Sequence, residues 1–295
     1  MSHWVFKFIP MALIWGSSFL FIELSLGLTT AVGVAFWRTL LGAVAMLVIG
    51  LLLRAPLPKK LIQWAHLSVA GFFMSAFPFT MYAFAQQYTT SILAAILNAT
   101  TPIFTLLAIL TLFRDQRSGS KAIIGLLIGL AGVGITLGIW QGFGENDQIA
   151  ILALVAASAS YGIGTPYIRK FITPMKLPPT STAAVQVLSS AAVLFPVYVL
   201  TGPLFVAEPR LETAGSLILL GVLGSGVAYW LFHQVVAQAG SQVAAMVTYT
   251  NPVIATFWGI LLLGETLHWF EPVGALLVLV GAYLAQGGQL AVRKR

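Results

Sequence analysis

The chain has 295 residues, of which 59% are hydrophobic and only 8% charged, and it contains no cysteine. A soluble domain carries about 25% charged residues, so this composition excludes a water-facing globular enzyme and points to a polytopic membrane protein. The missing cysteine removes disulfides, thiol chemistry and thiolate metal sites together, and the net charge of +7 comes from basic residues too dispersed to form a nucleic-acid face.

A bilayer core takes about 20 apolar residues per helix. Windows of that length predict ten helices. The first five run over Val5–Leu24, Val32–Leu53, Leu67–Ala85, Ile92–Phe113 and Ile123–Trp140. The second five run over Ile149–Ile168, Thr182–Leu200, Leu217–Val236, Val243–Leu263 and Val273–Leu290. The first is expected to be a span and not a cleaved leader, because a long apolar run follows almost no basic segment. The connections carry turn chemistry, such as Arg-Ala-Pro-Leu-Pro at 54–58 and Pro178-Pro179. Continuous apolar runs disfavour a β-barrel, whose strands alternate. The expected fold is all-α.

Basic residues set the orientation. With the N-terminus inside, the cytoplasmic segments hold thirteen of the fifteen Lys and Arg, among them Lys7, Arg54, Lys59, Lys60, Arg114, Arg117, Arg169, Lys170 and Arg293. The other side receives Arg210, and Arg38 falls inside the second span. Both termini are therefore expected in the cytoplasm.

The halves resemble each other. A shift of 150 residues aligns Gly71 with Gly221, Ser75 with Ser225, Ser91 with Ser241, Thr100 with Thr250 and Pro102 with Pro252. Residues 1–140 and 149–295 are then two five-helix units joined by an external linker at 141–148. An odd number of spans per unit makes the second enter the membrane from the opposite side, the inverted-repeat design of secondary transporters.

Polar groups within the spans are the informative minority. Proline removes an amide donor and frees the carbonyl four residues back, so Pro102 frees that of Asn98 and Pro252 that of Thr248. Thr101 and Asn251 lie beside them. These interrupted helices read either as a binding cavity with two hinges or as side chains that merely satisfy a kinked backbone. Trp15, Trp37, Trp230 and Trp258 fall inside spans, with Tyr82, Tyr161, Tyr229 and Tyr249. They read as a cavity wall for flat substrates or as packing aromatics. Trp4, Trp64, Trp140 and Trp269 fall at span ends, as interfacial residues do. Arg38 has three readings: it snorkels outward, forms an ion pair with Glu23, or meets a substrate carboxylate. His233 is either a titrating group or a packing residue. Gly125-x-x-x-Gly129 and Gly134-x-x-x-Gly138 allow close helix contact, within the chain or in a homodimer.

Trp15-Gly16, Arg38, Pro102, Pro252 and Leu263-Gly264-Glu265 before a Gly-rich last span resemble the EamA-type pattern of the drug/metabolite transporter superfamily. The resemblance covers essentially the whole chain and is greatest to bacterial amino-acid and metabolite exporters of the YddG type. The first half departs from the pattern, reading Phe113-Arg114-Asp115. The resemblance implies ten helices in two five-helix halves, in a bacterial inner membrane, around a cavity lined mainly by helices 1, 3, 4, 6, 8 and 9. It favours Trp15, Tyr82 and Trp230 as cavity residues. Tyr161 matches Trp15 when the first spans of the halves are aligned. The expected substrate-binding set is thus Trp15, Ser18, Tyr82, Asn98, Thr101, Tyr161, Trp230, His233, Thr248, Tyr249 and Asn251, with Pro102 and Pro252 as hinges.

The expected activity is export of small metabolites, aromatic and neutral amino acids first, by alternating access. Cationic amphiphilic drugs are the alternative, and lipid handling is a different class. No Asp or Glu lies deep in a span, which disfavours a carboxylate proton relay. A Walker A motif, a His-Glu-x-x-His motif and a cluster of metal ligands are all missing from the sequence. No enzyme activity, cofactor or metal is expected, and the expected partners are a small-molecule substrate and the bilayer, with the chain a monomer or a homodimer.

Overall fold

A computed structural model of the chain describes residues 4–113, 120–138, 140, 147–239 and 247–285. They form ten helical elements. In the first half these are α1 (Val5–Leu26), α2 (Ala31–Leu52), α3 (Leu61–Ala85), α4 (Ser91–Thr111) and α5 (Ser120–Thr136). The second half holds α6 (Gln148–Met175), α7 (Pro179–Leu200), α8, α9 (Val247–Leu263) and α10 (Phe270–Ala285). Element α8 is built from Leu211–Leu219, Leu220–Val227 and Ala228–Ala239. Seven elements are long and apolar enough to cross a membrane, while α5, α9 and α10 contribute shorter apolar helices. The all-helical expectation holds among the described residues, with ends shifted by a few positions. The largest shifts are at the end of α6, at Met175 rather than Ile168, and at the starts of α8, at Leu211 rather than Leu217, and of α3, which begins at Leu61 rather than Leu67. There Gln63 Oε1 accepts from the amides of Lys59 and Lys60, 3.1 Å each, and organises the first turn ahead of the apolar run.

Side-chain caps explain several starts. Thr30 accepts from the amide of Gly33 at 3.1 Å, and Thr90 from that of Leu93 at 3.1 Å. Asp147 accepts from Ile149 and Ala150 and opens α6. Large apolar side chains such as Phe6, Leu13, Leu127, Leu152, Phe195 and Phe257 stand exposed on the outside of the bundle. Such a surface is stable only in contact with lipid.

The packing has an internal correspondence. Helix α1 lies on α9, and α4 on α6; α1 lies on α8, and α3 on α6; α2 lies on α8, and α3 on α7. Helices α5 and α10 pack together, as do α2 and α7. For these pairs, replacing each helix by the one five places on returns the same neighbours, whereas the contacts of α4 with α1, α5 and α10 have no such counterpart of similar size among the described residues. Local geometry follows suit. Helix α3 widens into π-helical turns at Phe72–Ala76 and α8 at Leu220–Val227, stretches that overlap under the 150-residue shift, and α6 widens as well at Ile168–Ile172. Wide turns of this kind break the regular ladder and occur often at functional sites. Gly71 would bring a Cβ within 2.8 Å of Ser190 Oγ on α7, and Gly221 would bring one to 2.6 Å from Leu41 Cβ on α2.

Glycines also settle the reading of α5. A Cβ on Gly132 would stand 2.6 Å from the amide nitrogen of Val278, and one on Gly281 2.6 Å from the carbonyl oxygen of Gly125. The Gly125 and Gly129 spacing therefore serves contact with α10 inside one chain.

Candidate functional site

A cavity of about 80 Å³ opens between α1, α2, α3, α4, α6, α8 and α9. One end of its polar wall is made by the break in α4. That element is two helices, Ser91–Asn98 and Thr101–Thr111. The carbonyl that Pro102 deprives of a donor, that of Asn98, accepts from Thr101 Oγ1 at 2.8 Å. The carbonyl of Leu97 accepts from Thr100 Oγ1 at 2.6 Å and from Ser158 Oγ at 3.0 Å. The threonines thus satisfy the interrupted backbone, which frees the Asn98 side chain for other work.

That side chain joins the two halves. Asn251 Nδ2 donates to Asn98 Oδ1 at 3.0 Å. Asn98 Nδ2 donates to the Tyr82 hydroxyl at 2.8 Å, and Tyr82 lies 3.0 Å from Ser158 Oγ. Since Ser158 donates to Leu97, the Tyr82 hydroxyl donates to Ser158, and the chain runs in one direction from α9 through α4 and α3 to α6. Asn251 Oδ1 is left without a hydrogen-bond partner among the described residues. Buried polar networks of this kind hold one geometry, and each orphaned atom costs free energy until something occupies it.

Aromatic rings form the other walls. Tyr82 stacks on Tyr161 with centroids 6.1 Å apart, and Phe19 meets Tyr82 edge-on at 5.7 Å. Trp15 meets Tyr229 edge-on at 5.5 Å, while its Nε1 donates to the carbonyl of Gly224 at 2.9 Å. Tyr229 donates to the carbonyl of Met74 and accepts from Ser75 Oγ. Both bonds tie α8 to the widened turn of α3.

Arg38 carries the charge of the cavity wall. It is only 3% exposed, so the outward snorkelling reading fails. Its Nε donates to Ser225 Oγ at 3.1 Å, and its guanidinium carbon lies 3.5 Å from the centre of the Phe79 ring. The structure gives it these partners rather than Glu23, which accepts from Gln86 Nε2 at 3.4 Å. Ser225 lies in the widened turn of α8, whose path brings that hydroxyl to α2.

Of the expected set, Trp15, Ser18, Tyr82, Asn98, Thr101, Tyr161, Thr248 and Asn251 line this cavity. Trp230, His233 and Tyr249 do not. Tyr229 and Phe232 face the cavity from α8, and the next residue on a helix points about 100° away. Trp230 accordingly packs on the apolar core, and His233 is buried edge-on against Phe232. The Tyr249 hydroxyl is buried without a partner among the described residues. Pro102 and Pro252 stand next to lining residues without lining the cavity.

Several cavity residues escaped the sequence reading, namely Phe19, Ile22, Met74, Phe79, Thr165, Phe232 and Val247; Tyr229 was left between cavity wall and packing, and Arg38 with three readings. One signal was available. Trp15, Ser18, Phe19 and Ile22 recur at the spacing of one helix face. Glu265, just after α9, accepts from the amides of Ser91 and Ile92, at 2.7 and 3.1 Å. It thereby caps α4. Asp115, its first-half counterpart, lies outside the described residues, as do Arg114, Arg117, Ser241 and residues 286–295.

Comparison with known proteins agrees with this architecture. The chain is 28% identical to the uncharacterized inner membrane transporter YedA of Escherichia coli K12, across 92% of this chain and 89% of YedA. It is 23% identical to an uncharacterized transporter of Archaeoglobus fulgidus, across 94% and 95%. The WAT1-related chloroplastic protein At3g02690 of Arabidopsis thaliana is 22% identical, with 92% of this chain and 66% of that protein covered. A solved crystal structure superposes with a TM-score of 0.69 over 97% of this chain and 96% of its own, at 19% identity, and so shares the fold. The profile of the EamA-like transporter family matches twice, over residues 2–138 and 148–286. A multi-pass helical bundle with a central cavity and two such matches, one in each half, is a membrane protein of the EamA-like transporter family.

Proposed function

We propose that the protein is a secondary exporter of small metabolites, with aromatic and neutral amino acids as its first substrates, working by alternating access through the cavity between its halves. The observation that carries this reading is the hydrogen bond from Asn251 to Asn98, which joins the two proline motifs at the cavity wall. A site held jointly by both interrupted helices opens to one side or the other when the halves rock. The cavity of about 80 Å³ is smaller than the ~150 Å³ that encloses benzene in a protein core. An aromatic substrate is therefore admitted only when the walls part.

In this reading all ten helices span the membrane, as two inverted five-helix repeats. The correspondence of helix neighbours, the paired widened turns of α3 and α8 and the two family matches support it. Both termini lie in the cytoplasm, and the membrane is a bacterial inner membrane, the location named for YedA. Because the chain contains no cysteine, single cysteines introduced at Lys59 and at Glu208 report sidedness without background. An impermeant maleimide should label position 208 in intact cells and position 59 only after lysis, and the reverse pattern overturns the orientation. Among the described residues the cavity lining contains no Asp or Glu, so export is proposed to run without a carboxylate relay.

Counterflow in proteoliposomes across the amino acids, with and without a pH gradient, tests substrate and coupling together. Accumulation of labelled phenylalanine, tyrosine or leucine against unlabelled substrate inside is expected, at a rate unchanged by the gradient. Silence across the amino acids, with uptake of a cationic amphiphile instead, overturns the substrate assignment.

A further inference from the structure

The cavity contains a cation with no anion facing it. Arg38 is 3% exposed and lies in the cavity wall. Its polar partner among the described residues is Ser225, through Nε, and its flat face rests on Phe79. The two terminal guanidinium nitrogens have no hydrogen-bond partner among the described residues. No aspartate or glutamate lines the same cavity among the described residues. A buried guanidinium costs several kcal/mol of desolvation unless it is paired, and its two terminal amino groups form a fork that matches a carboxylate in two parallel bonds. A chain that retains such a group beside a substrate cavity holds a receptor that is incomplete until an anion arrives.

We infer that Arg38 is the carboxylate receptor of the cavity, with Ser225 and Phe79 as the residues that hold the guanidinium in position. This rests on the export reading and narrows it to substrates carrying a single carboxylate. The rest of the wall fits the other parts of an amino acid. Asn251 Oδ1 is an unused acceptor for an ammonium group, and the stacked pair of Tyr82 and Tyr161 offers ring faces to a flat side chain. One cation suits one negative charge, and phosphorylated metabolites with two or more would leave charge unpaired. A cationic drug would meet Arg38 as a like charge.

The test compares phenylalanine with phenylalaninamide, and leucine with leucinamide, on purified full-length protein. Binding is read by quenching of intrinsic tryptophan fluorescence, and transport by counterflow in proteoliposomes. Wild type should bind each acid about ten- to a hundredfold more tightly than its amide, the range expected for a charge-assisted bidentate pair. The acid-over-amide ratio should fall to near one in Arg38→Gln and be partly restored in Arg38→Lys. Ser225→Ala should lower the ratio without abolishing it. The ligand-side comparison on wild type needs no mutant, so misfolding of the glutamine variant leaves the question decidable. Equal affinity for acid and amide in wild type overturns the inference, as does an unchanged preference in Arg38→Gln. If transport of acids and amides proceeds alike, the inference falls while the export reading stands. If wild type neither binds nor moves any of the four compounds, both fall together.

Discussion

The two proline motifs share a sequence pattern and differ in backbone. In α4, Asn98-Ala99-Thr100-Thr101-Pro102 ends one helix and begins another, whereas in α9 Thr248-Tyr249-Thr250-Asn251-Pro252 lies inside one continuous helix. Part of the chemistry repeats, since Thr100 Oγ1 donates to the carbonyl of Leu97 and Thr250 Oγ1 to that of Val247, at 2.6 and 2.7 Å. The difference enters from outside the motif. Ser158 of α6 donates to the carbonyl of Leu97, a donor from a neighbouring helix. Proline makes a break available, and donors from neighbouring helices decide whether the backbone takes it. The same comparison explains the asparagines. Asn98 occupies the position of Thr248, and Asn251 that of Thr101, so each half supplies one amide side chain at a different register, and the two meet across the cavity.

Substitutions should separate these contributions. The largest effect is expected at Glu265, whose carboxylate makes two charge-assisted bonds to the start of α4. Glu265→Ala should lower stability by ~3 kcal/mol, measured as the unfolding midpoint in detergent. A midpoint like that of wild type would mean that α4 keeps its position without the cap. Next comes Asn98→Ala, which leaves Asn251 Nδ2 and the Tyr82 hydroxyl without their partner at a cost of ~2 kcal/mol. Counterflow should drop by more than tenfold with membrane abundance retained, and Asn251→Ala should behave alike. Unchanged flux in both variants would remove the asparagine pair from the transport site.

The proline substitutions should diverge. Pro252→Ala restores an amide within a continuous helix and should raise stability by ~1 kcal/mol, seen as a higher unfolding midpoint, while slowing exchange. Pro102→Ala sits in the first turn of a helix, where the amide has no intrahelical partner, and should leave stability within ~0.5 kcal/mol. Equal shifts in the two variants would contradict the difference in backbone. An effect comparable to those of the prolines belongs to Ser158→Ala. It removes one donor from Leu97 and one acceptor from Tyr82, for ~1 kcal/mol in total or less. Its signature is selective, because it should leave the stabilising effect of Pro252→Ala nearly unchanged, and loss of that effect in the double variant would contradict the assignment of Ser158 to α4.

Composition alone excluded a soluble domain, and runs of apolar residues located each helix to within a few positions. The Thr-x-Pro coincidence pointed to Asn98, Thr101, Thr248 and Asn251, all of which line the cavity. Residues chosen singly on α8 fared worse, because Trp230 and Tyr229 are neighbours with the same chemistry and face different ways. Face assignment needs the rotation of the helix about its axis, and that rotation is set by what it packs against. A membrane helix weakens the usual clue, since lipid and core both accept apolar side chains.

Sequence by itself determined the all-helical membrane class, the paired proline motifs and the lone arginine within a span, because burial in hydrocarbon imposes length and hydropathy on every segment. Tertiary structure alone decided that Arg38 turns to Ser225 and Phe79, that the asparagines from the two halves bond to each other, and that α4 breaks where α9 does not. Each of these depends on which side chain a distant helix presents within about 3 Å. No pattern local to one helix encodes that distance.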